Sequence, residues 1–471
     1  MSLELKIKFG TDGFRSVIGE GFTYENIRII AQSFCEWLTY NGYKKPSTKV
    51  FVGYDRRFFS DKFAKEFAVV LVNNDIDCVL SKTPVTTSMV SYLTTQNFTF
   101  GVMITASHNN YLYNGVKFKY QGRSVPPRIT SEIEVYSYKI RKSHISRFPK
   151  RTLIEQDLRN DYVNYLLSKF NISEILKNIK GKIIFDFMYG SGADIFGMLF
   201  NSKNIIAINT EIDPMFGEIN SPEPVEDKLL KLKNKVKEDG AICGFALDGD
   251  GDRFALIDNN GNYITPQRVA PMILNWLVEN KNMKGRVVQA VSLGYLTQRI
   301  AKEKGLLFEF TPVGFKYIAE RMLLGDTIFG AEESGGYCWK GNIADRDGFM
   351  TSLLFMEMIA RTGFSIEEIY NNIKNNYGNS YFIREDLRVS KISLSKYSYA
   401  IKIKSKLPKN IIGKSIKEII TLDGIKVILE NDWWFLIRPS GTEPLLRIYA
   451  EAEDQKSVKE LIKFAKGIAI V

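Results

Sequence analysis

The chain has 471 residues, of which 45% are hydrophobic and 25% charged, a balance typical of globular proteins with several domains. No apolar run approaches the ~18 residues that a membrane-spanning helix needs, and the first ten residues contain no apolar signal core. We therefore expect a cytoplasmic protein with no membrane partner. The net charge of +11 raises nucleic-acid binding as a non-enzymatic alternative. The lysines are spread along the whole chain, however, which favours a solvated basic surface and no nucleic-acid partner.

Cysteine and histidine usage limits the metal chemistry that the chain can support. The four cysteines are far apart and show no CxxC spacing, which argues against a disulfide framework or a zinc ribbon. His108 and His144 are the only histidines. Carboxylates are therefore the expected ligands of any metal ion.

Short apolar, β-branched segments alternate with amphipathic segments from the first strand to about residue 375. This alternation is typical of doubly wound α/β domains with mixed or parallel sheets. Thr265-Pro266 and the pair Ser365 and Glu368 mark two helix starts. The predicted strands are 51–54, 98–106, 182–188, 241–247, 287–292 and 307–310. The predicted helices between them are 62–74, 225–237 and 295–304.

The pattern changes after Tyr381, where strand-like stretches dominate. Segments 432–437 and 446–451 are predicted strands, and 456–466 is a predicted final helix. A smaller α+β domain is therefore expected at the end of the chain. The expected domains are 1–150, 151–255, 256–375 and 376–471.

A polar loop at residues 105–110 follows an apolar strand and contains Ser107. Its small residues let the backbone approach whatever Ser107 faces, and loops at the carboxyl ends of α/β strands are where ligands bind. Asn114, Gly115 and Lys117 follow before the chain returns to a strand. A plain polar turn is the alternative interpretation of this segment.

Three aspartates at alternate positions, Asp248, Asp250 and Asp252, follow another predicted strand and are separated by glycines. Such a loop can surround a hard divalent cation with oxygen ligands. An EF-hand would need glycine at the sixth position and glutamate at the twelfth, where this chain has Arg253 and Asn259. Carboxylates this close repel one another unless a cation neutralises them, which favours a metal site over a solvated turn.

Two further loops carry polar side chains suited to a sugar phosphate. On residues 330–336, the carboxylate of Glu332 and the hydroxyl of Ser334 suit paired sugar hydroxyls. On residues 438–444, a guanidinium, hydroxyls and the backbone N–H groups around a glycine would form a phosphate cradle. For both loops a turn without function is the alternative. The cradle residues are Arg438, Ser440, Gly441 and Thr442.

Taken together, in this order and spacing, the four loops resemble the α-D-phosphohexomutase family. Each segment alone is weak or moderate evidence, whereas the ordered set is specific. The resemblance implies three consecutive α/β/α domains with mixed sheets and a smaller C-terminal α+β domain, arranged around a central cleft. It covers nearly the whole chain and is carried by residues 10–15, 54–57, 105–110, 248–253, 311–316, 330–336 and 438–444.

The resemblance also implies a mechanism in which Ser107 carries the transferable phosphoryl group. Lys117 would be the general acid/base, with its pKa lowered by neighbouring cations. Arg15 and Arg253 would stabilise the phosphoryl oxygens, and His108 would support the serine loop. The implied magnesium site, with one Mg²⁺ per chain, consists of the Ser107 phosphate, Asp248, Asp250 and Asp252.

A phosphohexomutase must also release the hexose 1,6-bisphosphate from one orientation and rebind it in the other. A distal anchor therefore has to accept either phosphate, and the resemblance assigns this to the cradle residues with help from Arg447. Glu332 and Ser334 would hold the 3- and 4-hydroxyls, and Lys316 would bind the phosphate or ring hydroxyls. Glucose 1,6-bisphosphate is the expected activator, and the only expected partner is a small sugar phosphate, bound by a monomer or homodimer.

The sugar preference is expected to depend on Lys316 and Phe315, which would face the second carbon of the sugar. Phe315 and Gly336 stand where some branches of the family have histidine. With the Glu-Glu-Ser sequence, these residues look more like the phosphoglucomutase branch. Glucose phosphates are therefore expected to be favoured over mannose phosphates, and glucosamine 1-phosphate is expected to be poorer still because its amino group would face Lys316. The alternatives are a phosphoglucosamine mutase and a metal-dependent sugar phosphatase.

Overall fold

A computed structural model describes residues 7–10, 12–43, 47–140, 148–389, 395–440 and 445–469. The chain forms two compact units, residues 1–263 with 336–366 and residues 264–335 with 367–471. The strands are β1 (Phe14–Val17), β2 (Lys49–Tyr54), β3 (Asp77–Ser81), β4 (Phe100–Ile104), β5 (Tyr113–Tyr120), β6 (Arg123–Ser124), β7 (Ile154–Gln156), β8 (Ile183–Asp186), β9 (Ile205–Ile208), β10 (Cys243–Leu247), β11 (Phe254–Asp258), β12 (Tyr263–Ile264), β13 (Arg286–Ala290), β14 (Leu307–Thr311), β15 (Thr327–Glu332), β16 (Gly336–Trp339), β17 (Tyr381–Arg388), β18 (Asn410–Ile411), β19 (Lys414–Ile420), β20 (Ile425–Leu429), β21 (Trp434–Pro439) and β22 (Leu445–Ala452).

The helices pack on these strands. In chain order they are α1 (Tyr24–Tyr40), α2 (Ser60–Asn73), α3 (Thr87–Leu93), α4 (Pro127–Ser137), α5 (Arg159–Lys169), α6 (Ile172–Asn178), α7 (Ala193–Leu199), α8 (Leu230–Glu238), α9 (Pro266–Lys281), α10 (Leu296–Glu303), α11 (Phe315–Met322), α12 (Gly348–Thr362), α13 (Ile366–Tyr377), α14 (Lys396–Lys404) and α15 (Gln455–Ala469). Within the described part of the chain, no helix combines the length and apolar character needed to cross a bilayer.

The first unit contains two mixed sheets. In the first sheet the strand order is β1-β5-β4-β2-β3-β7, with β6 beside β5. Strands β2, β3, β4 and β7 pair in parallel, whereas β5 runs antiparallel to β4 and β1. In the second sheet the order is β12-β11-β10-β8-β9. Strand β10 pairs antiparallel with β11 and parallel with β8, and β8 pairs parallel with β9. Apolar side chains from these strands and helices, many of them phenylalanine, fill the cores between the layers.

The second unit combines a parallel sheet with an antiparallel one. Strands β14 and β15 both pair in parallel with β13. The C-terminal sheet has the order β17-β22-β21-β20-β19-β18, and its pairs are antiparallel. Helices α14 and α15 cover this sheet with apolar residues such as Ile403, Leu461 and Ala465. The predicted α/β rhythm and the smaller α+β fold at the end of the chain are therefore confirmed.

One predicted helix begins later than expected. The 225–237 segment starts with a single tight turn over Glu226–Lys228, and the α-helix begins only at Leu230. Leu229 interrupts the two with a non-helical backbone (φ −100°, ψ 18°). Its side chain is fully buried in the core of the second sheet. Leu229 is therefore buried in the core, and the helix is interrupted at this residue. The local sequence does not reveal this effect of tertiary packing.

A lysine on β20 is fully enclosed in the second unit. The Nζ atom of Lys426 donates hydrogen bonds to the carbonyl oxygens of Val291 (2.8 Å) and Leu293 (3.3 Å), and it lies 3.8 Å from the centroid of the Trp434 ring. Burial lowers the pKa of Lys426 to about 7, although the carboxylate of Glu451 opposes this shift. An ammonium group is poorly solvated at this position, and its neutral form is favoured.

We expect the stability contribution of Lys426 to depend on pH. The pKa in the folded state, about 7, lies below the ordinary value, so the unfolded chain binds the additional proton between pH 7 and about 10 and folding is favoured as pH rises. The free energy of unfolding of the wild type relative to Lys426→Met should therefore increase by about 1.4 kcal/mol per pH unit in this range. Urea unfolding at several pH values measures the difference.

Lys417→Met is the matched control, because Lys417 lies on the neighbouring strand β19 with its side chain 56% exposed. This control should show little pH dependence. A flat difference for Lys426→Met would mean that the buried lysine keeps its proton throughout the range.

Candidate active site

Ser107 lies just after β4, in a backbone conformation that residues other than glycine rarely adopt. Its φ angle is +53°, in the left-handed region, and the residue is almost completely buried. The backbone N–H of Ser107 donates to Thr105 Oγ1 (2.8 Å), and the Thr105 hydroxyl donates in turn to Asp55 Oδ2 (2.6 Å). The serine loop is thus attached to the end of β2, and the strained φ persists because surrounding hydrogen bonds impose it.

Arg57 stabilises the same loop by hydrogen bonds to its backbone. Its guanidinium donates to the carbonyl oxygens of Ser107, Asn109 (2.6 Å) and Asn110 (2.8 Å). The side chain is buried, which lowers the pKa of Arg57 to about 10, and Asp55 at 3.2 Å provides its counter-charge. The segment 54–57 carried the family resemblance, but sequence reasoning assigned no role to Arg57. The i, i+2 spacing of an acid and a base at the end of a strand was the available signal.

The three aspartates lie together, as predicted. Asp248, Asp250 and Asp252 are buried, and they offer carboxylate oxygens within 4.8 Å of one another. Ser107 Oγ donates to Asp248 Oδ2 at 2.8 Å, which joins the serine loop to the aspartate loop. Glycine is needed at position 249, because a Cβ there would lie 2.8 Å from the carbonyl oxygen of Ser107. The two loops can therefore approach closely only with this glycine.

The buried carboxylates have the hydrogen-bonding pattern of a cation site. Asp248 Oδ1 accepts from the backbone N–H groups of Asp252 (2.9 Å) and Arg253 (3.0 Å). Oδ1 of Asp250 and Oδ1 of Asp252 are buried and have no hydrogen-bond donor among the described residues. Burial, with repulsion from the other two aspartates, raises the pKa of Asp248 well above its ordinary value. Mg²⁺ prefers such oxygen ligands, so these residues fit a magnesium ion.

Lys117 contacts carboxylates, whereas neighbouring cations were expected to lower its pKa. Its Nζ lies 2.8 Å from Asp250, 3.0 Å from Asp12 and 3.2 Å from Asp252. Burial alone would lower the pKa of Lys117, but the attraction of the three carboxylates outweighs burial and raises the pKa above its ordinary value. The expected lowering was therefore wrong. In this structure Lys117 is a cation that holds its proton tightly.

Arg346 was not anticipated from the sequence, although it completes this network. One terminal nitrogen of its buried guanidinium donates to both Asp12 and Asp252 at 2.8 Å. Thr87 adds a hydroxyl donor to Asp250 Oδ2. Neither residue lies in a segment with a recognisable motif, so their contribution emerges only when the chain is folded.

The two predicted phosphoryl-stabilising arginines lie beside the serine loop and the aspartate loop. Arg15 donates to the side chain of Asn109 at 2.7 Å. Arg253 lies 4.0 Å from Asp248 and 3.5 Å from Glu223. Within the described residues, the buried Nε of Arg253 has no hydrogen-bond acceptor. A guanidinium edge with an unsatisfied donor is suited to an anionic oxygen.

His108 lies next to the serine hydroxyl. Its Nδ1 is 3.4 Å from Ser107 Oγ. Burial, together with the positive charges of Arg253, Arg15 and Lys117, lowers the pKa of His108 well below its ordinary value. The imidazole is therefore neutral at physiological pH. The structure brings His108, Lys117, Arg15 and Arg253 together around Ser107 and the aspartates, as the sequence analysis expected.

The remaining predicted residues belong to the second unit. Ser334 Oγ donates to the buried carboxylate of Glu332 at 2.6 Å. Lys316 is at the start of α11, where its Nζ lies 5.2 Å from the centroid of the Tyr317 ring. The carboxylate–hydroxyl pair is thus formed on one tight loop, as predicted.

The phosphate cradle is described in part. Arg438 is buried on β21 and lies opposite Arg447 of β22 in the antiparallel register. The backbone N–H of Ser440 donates to the carbonyl oxygen of Leu445 (2.9 Å). Gly441 and Thr442 lie outside the described residues. Two predicted anchoring arginines are therefore on neighbouring strands.

Four family profiles match this chain in order. Phosphoglucomutase/phosphomannomutase alpha/beta/alpha domains I, II and III match residues 6–144, 160–261 and 265–377, and the C-terminal domain matches residues 403–466. The chain belongs to the α-D-phosphohexomutase family. It is a phosphohexomutase, and thus an intramolecular phosphotransferase, as predicted. The predicted fold of three α/β/α domains and a smaller C-terminal domain is also confirmed.

Several relatives match along almost the entire length of this phosphohexomutase. The phosphoglucosamine/phosphogalactosamine mutase of Sulfurisphaera tokodaii is 29% identical and is matched over 98% of both chains. The phosphoglucomutase/phosphomannomutase of Thermococcus kodakarensis is 27% identical over 97% of this chain and 96% of its own. A crystal structure from Thermus thermophilus, of a protein proposed to be a phosphomannomutase, has a TM-score of 0.85 and 29% identity, with coverage of 98% of this chain and 99% of its own.

We expect Asp250→Asn to weaken Mg²⁺ binding, because the substitution removes a negative charge and one oxygen ligand from the buried triad. Titration calorimetry of the purified enzyme should show a loss of at least about tenfold in affinity. Asp239→Asn is the control, since Asp239 pairs with Lys235 away from the aspartate triad. Equal Mg²⁺ affinity in Asp250→Asn and wild type, with both folded by thermal unfolding, would remove the triad as the metal site.

Proposed function

We propose that this phosphohexomutase interconverts the 1- and 6-phosphates of an amino sugar, with glucosamine phosphate as the preferred substrate. Ser107 carries the phosphoryl group, and a hexose 1,6-bisphosphate is the intermediate. The observation that carries the mechanism is the 2.8 Å contact between Ser107 Oγ and Asp248, beside two buried carboxylates that each have one oxygen without a donor among the described residues. Full-length similarity to phosphoglucosamine mutases supports the choice of sugar.

The first transfer begins with phosphorylated Ser107. The bond between phosphorus and Ser107 Oγ breaks as a bond forms to a hydroxyl oxygen of the sugar phosphate. One proton moves in balance from the sugar hydroxyl to Ser107 Oγ. Lys117 is proposed to stay protonated and to stabilise the phosphoryl oxygens as a fixed cation, because its raised pKa opposes release of the proton. Bound Mg²⁺ would supply positive charge for the phosphoryl oxygens, together with Arg15 and Arg253.

The second transfer requires the bisphosphate to present its other phosphate to Ser107. Phosphorus then returns to Ser107 Oγ, the bond to the sugar oxygen breaks, and the proton moves back to the sugar. Arg438, Ser440 and Arg447 are the proposed distal anchor for the phosphate that is not reacting. Glu332 and Ser334 are proposed to grip two adjacent ring hydroxyls, a role to which their 2.6 Å hydrogen bond is suited. A carboxylate and a hydroxyl this close can bind two neighbouring hydroxyls at once.

The choice of an amino sugar revises the expected glucose preference. The expected disadvantage of glucosamine 1-phosphate depended on Lys316 repelling a cationic 2-amino group. In the structure the ammonium of Lys316 lies 5.2 Å from the centroid of the neighbouring Tyr317 ring. The sugar loop also carries adjacent carboxylates, Glu332 and Glu333, which favour a cationic group. The relatives likewise favour the amino-sugar alternative over glucose and mannose phosphates.

We expect the phosphoryl group to map to Ser107. Intact mass and peptide mapping of enzyme treated with glucose 1,6-bisphosphate should place the adduct on this residue. Ser107→Ala should lose at least about 10³-fold in mutase rate while unfolding at the same temperature as wild type, because no other group forms the phosphoenzyme. Ser33→Ala is the control, a buried serine that donates to the Ile29 carbonyl within α1. An adduct on another residue would refute the assignment.

We expect glucosamine 1-phosphate to be converted with a kcat/KM at least about tenfold above that for glucose 1-phosphate, the range available to a single polar contact. The sugars are compared in one coupled assay, with fixed Mg²⁺ and a trace of glucose 1,6-bisphosphate. A clear preference for glucose or mannose phosphate would contradict the amino-sugar assignment. Release of inorganic phosphate without stimulation by bisphosphate would instead indicate a metal-dependent sugar phosphatase.

A further inference from the structure

Asp423 lies in the turn between β19 and β20, and its carboxylate accepts hydrogen bonds from three donor groups. Its Oδ2 accepts from Arg438 Nε at 2.7 Å and from the backbone N–H of Val313 at 3.1 Å. Its Oδ1 accepts from the Lys396 ammonium at 2.5 Å. The residue is 6% exposed. One buried side chain therefore links an arginine of β21 to the loop that follows β14.

The two groups joined by Asp423 belong to different parts of the proposed substrate site. Arg438 is a proposed phosphate anchor. Val313 lies in the short loop between β14 and α11, and Lys316 lies three residues later at the start of the helix. A shift of Asp423 would therefore change the separation between the phosphate anchor and Lys316.

Local packing keeps this turn against β21. Gly424 has a φ angle of +91°, and a Cβ at this position would lie 2.4 Å from the Ile437 carbonyl oxygen and 2.9 Å from Arg438 Cα. Glycine thus lets the Asp423 turn approach the backbone that carries Arg438. Burial would raise the pKa of Asp423, but Arg438 and Lys396 outweigh burial and lower it. The carboxylate remains ionised and makes a charge-assisted contact with the guanidinium.

We propose that Asp423 is a positioning residue that orients Arg438 and fixes its distance from the Val313 loop. This inference rests on the proposed function, in which Arg438 holds whichever phosphate is not reacting. A bisphosphate intermediate must rebind in the opposite orientation, so the anchor has to present the same geometry twice in each cycle. A guanidinium held at its Nε edge by a buried carboxylate has fewer orientations to lose when the phosphate binds.

The test measures binding separately from turnover. Affinity for glucose 1,6-bisphosphate is determined by calorimetry in a Ser107→Ala background, where no transfer occurs, with and without Asp423→Asn. Asparagine keeps the shape of the side chain and removes its charge. We expect Kd to rise by about 10- to 100-fold, the effect of losing one charge-assisted contact. In the active enzyme the same substitution should raise KM for sugar phosphate more than it lowers kcat.

Two comparisons distinguish positioning from a general loss of structure. Lys396→Met removes the more exposed partner of Asp423 and should change Kd by less than about twofold. Adding Asp423→Asn to Arg438→Ala should cause no more than about a further twofold loss, because Asp423 acts through that arginine. Asp423→Glu should recover part of the affinity.

An unchanged Kd in Asp423→Asn, or losses that multiply with Arg438→Ala, would overturn this inference. Such a result would leave the proposed function intact if the wild type interconverts sugar phosphates. Conversely, a wild type without mutase activity would refute the proposed function, whereas the Kd comparison would still decide whether Asp423 orients Arg438.

Discussion

The arrangement of the first unit depends on burying several carboxylates beside one serine hydroxyl. Asp248, Asp250 and Asp252 have almost no exposed surface, and removing an ion from water costs several kcal/mol unless other charges or hydrogen bonds compensate. Lys117 and Arg346 supply that compensation by contacting two of these aspartates. Positive charge is still lacking beside Asp248 and beside the carboxylate oxygens that have no donor among the described residues. A divalent cation at this position would supply that charge.

The same charge balance would favour the proposed phosphorylation of Ser107. A phosphoryl group on Ser107 would add a charge of about −2, which matches the charge of one magnesium ion. Arg15 and Arg253 border the loop, and burial next to these cations keeps His108 neutral. Metal and phosphoryl group would therefore form a nearly neutral pair. The strained φ of Ser107, imposed by Arg57 and Thr105, keeps the hydroxyl oriented toward the aspartates.

The parts of the candidate site that consist of consecutive residues could be predicted from the sequence. Aspartates at alternate positions, or a serine in a short polar loop after a strand, can be read directly from the chain. The pKa of Lys117 could not be read in this way, because its direction is set by Asp12, Asp250 and Asp252 from distant segments. Arg346 was missed for the same reason, since it meets Asp12 across 334 positions of sequence. Alternating apolar segments predicted most strands, whereas the late start of α8 follows from the burial of Leu229.

The two units differ in the charged side chains at their candidate sites. The first buries an excess of acidic oxygens, a composition that favours a cation. In the second, Arg438 of β21 lies opposite Arg447 of β22 in the ladder register, and its guanidinium contacts the carboxylate of Asp423. Lys396 also contacts that carboxylate, and Glu333 adds a negative charge that acts on Arg438. In the proposed function, the cations of the second unit would bind the phosphate that is not reacting, and the buried aspartates of the first unit would bind the metal ion. Because the aspartate triad is buried, its attraction for a cation keeps its strength in salt that would screen charges at the surface.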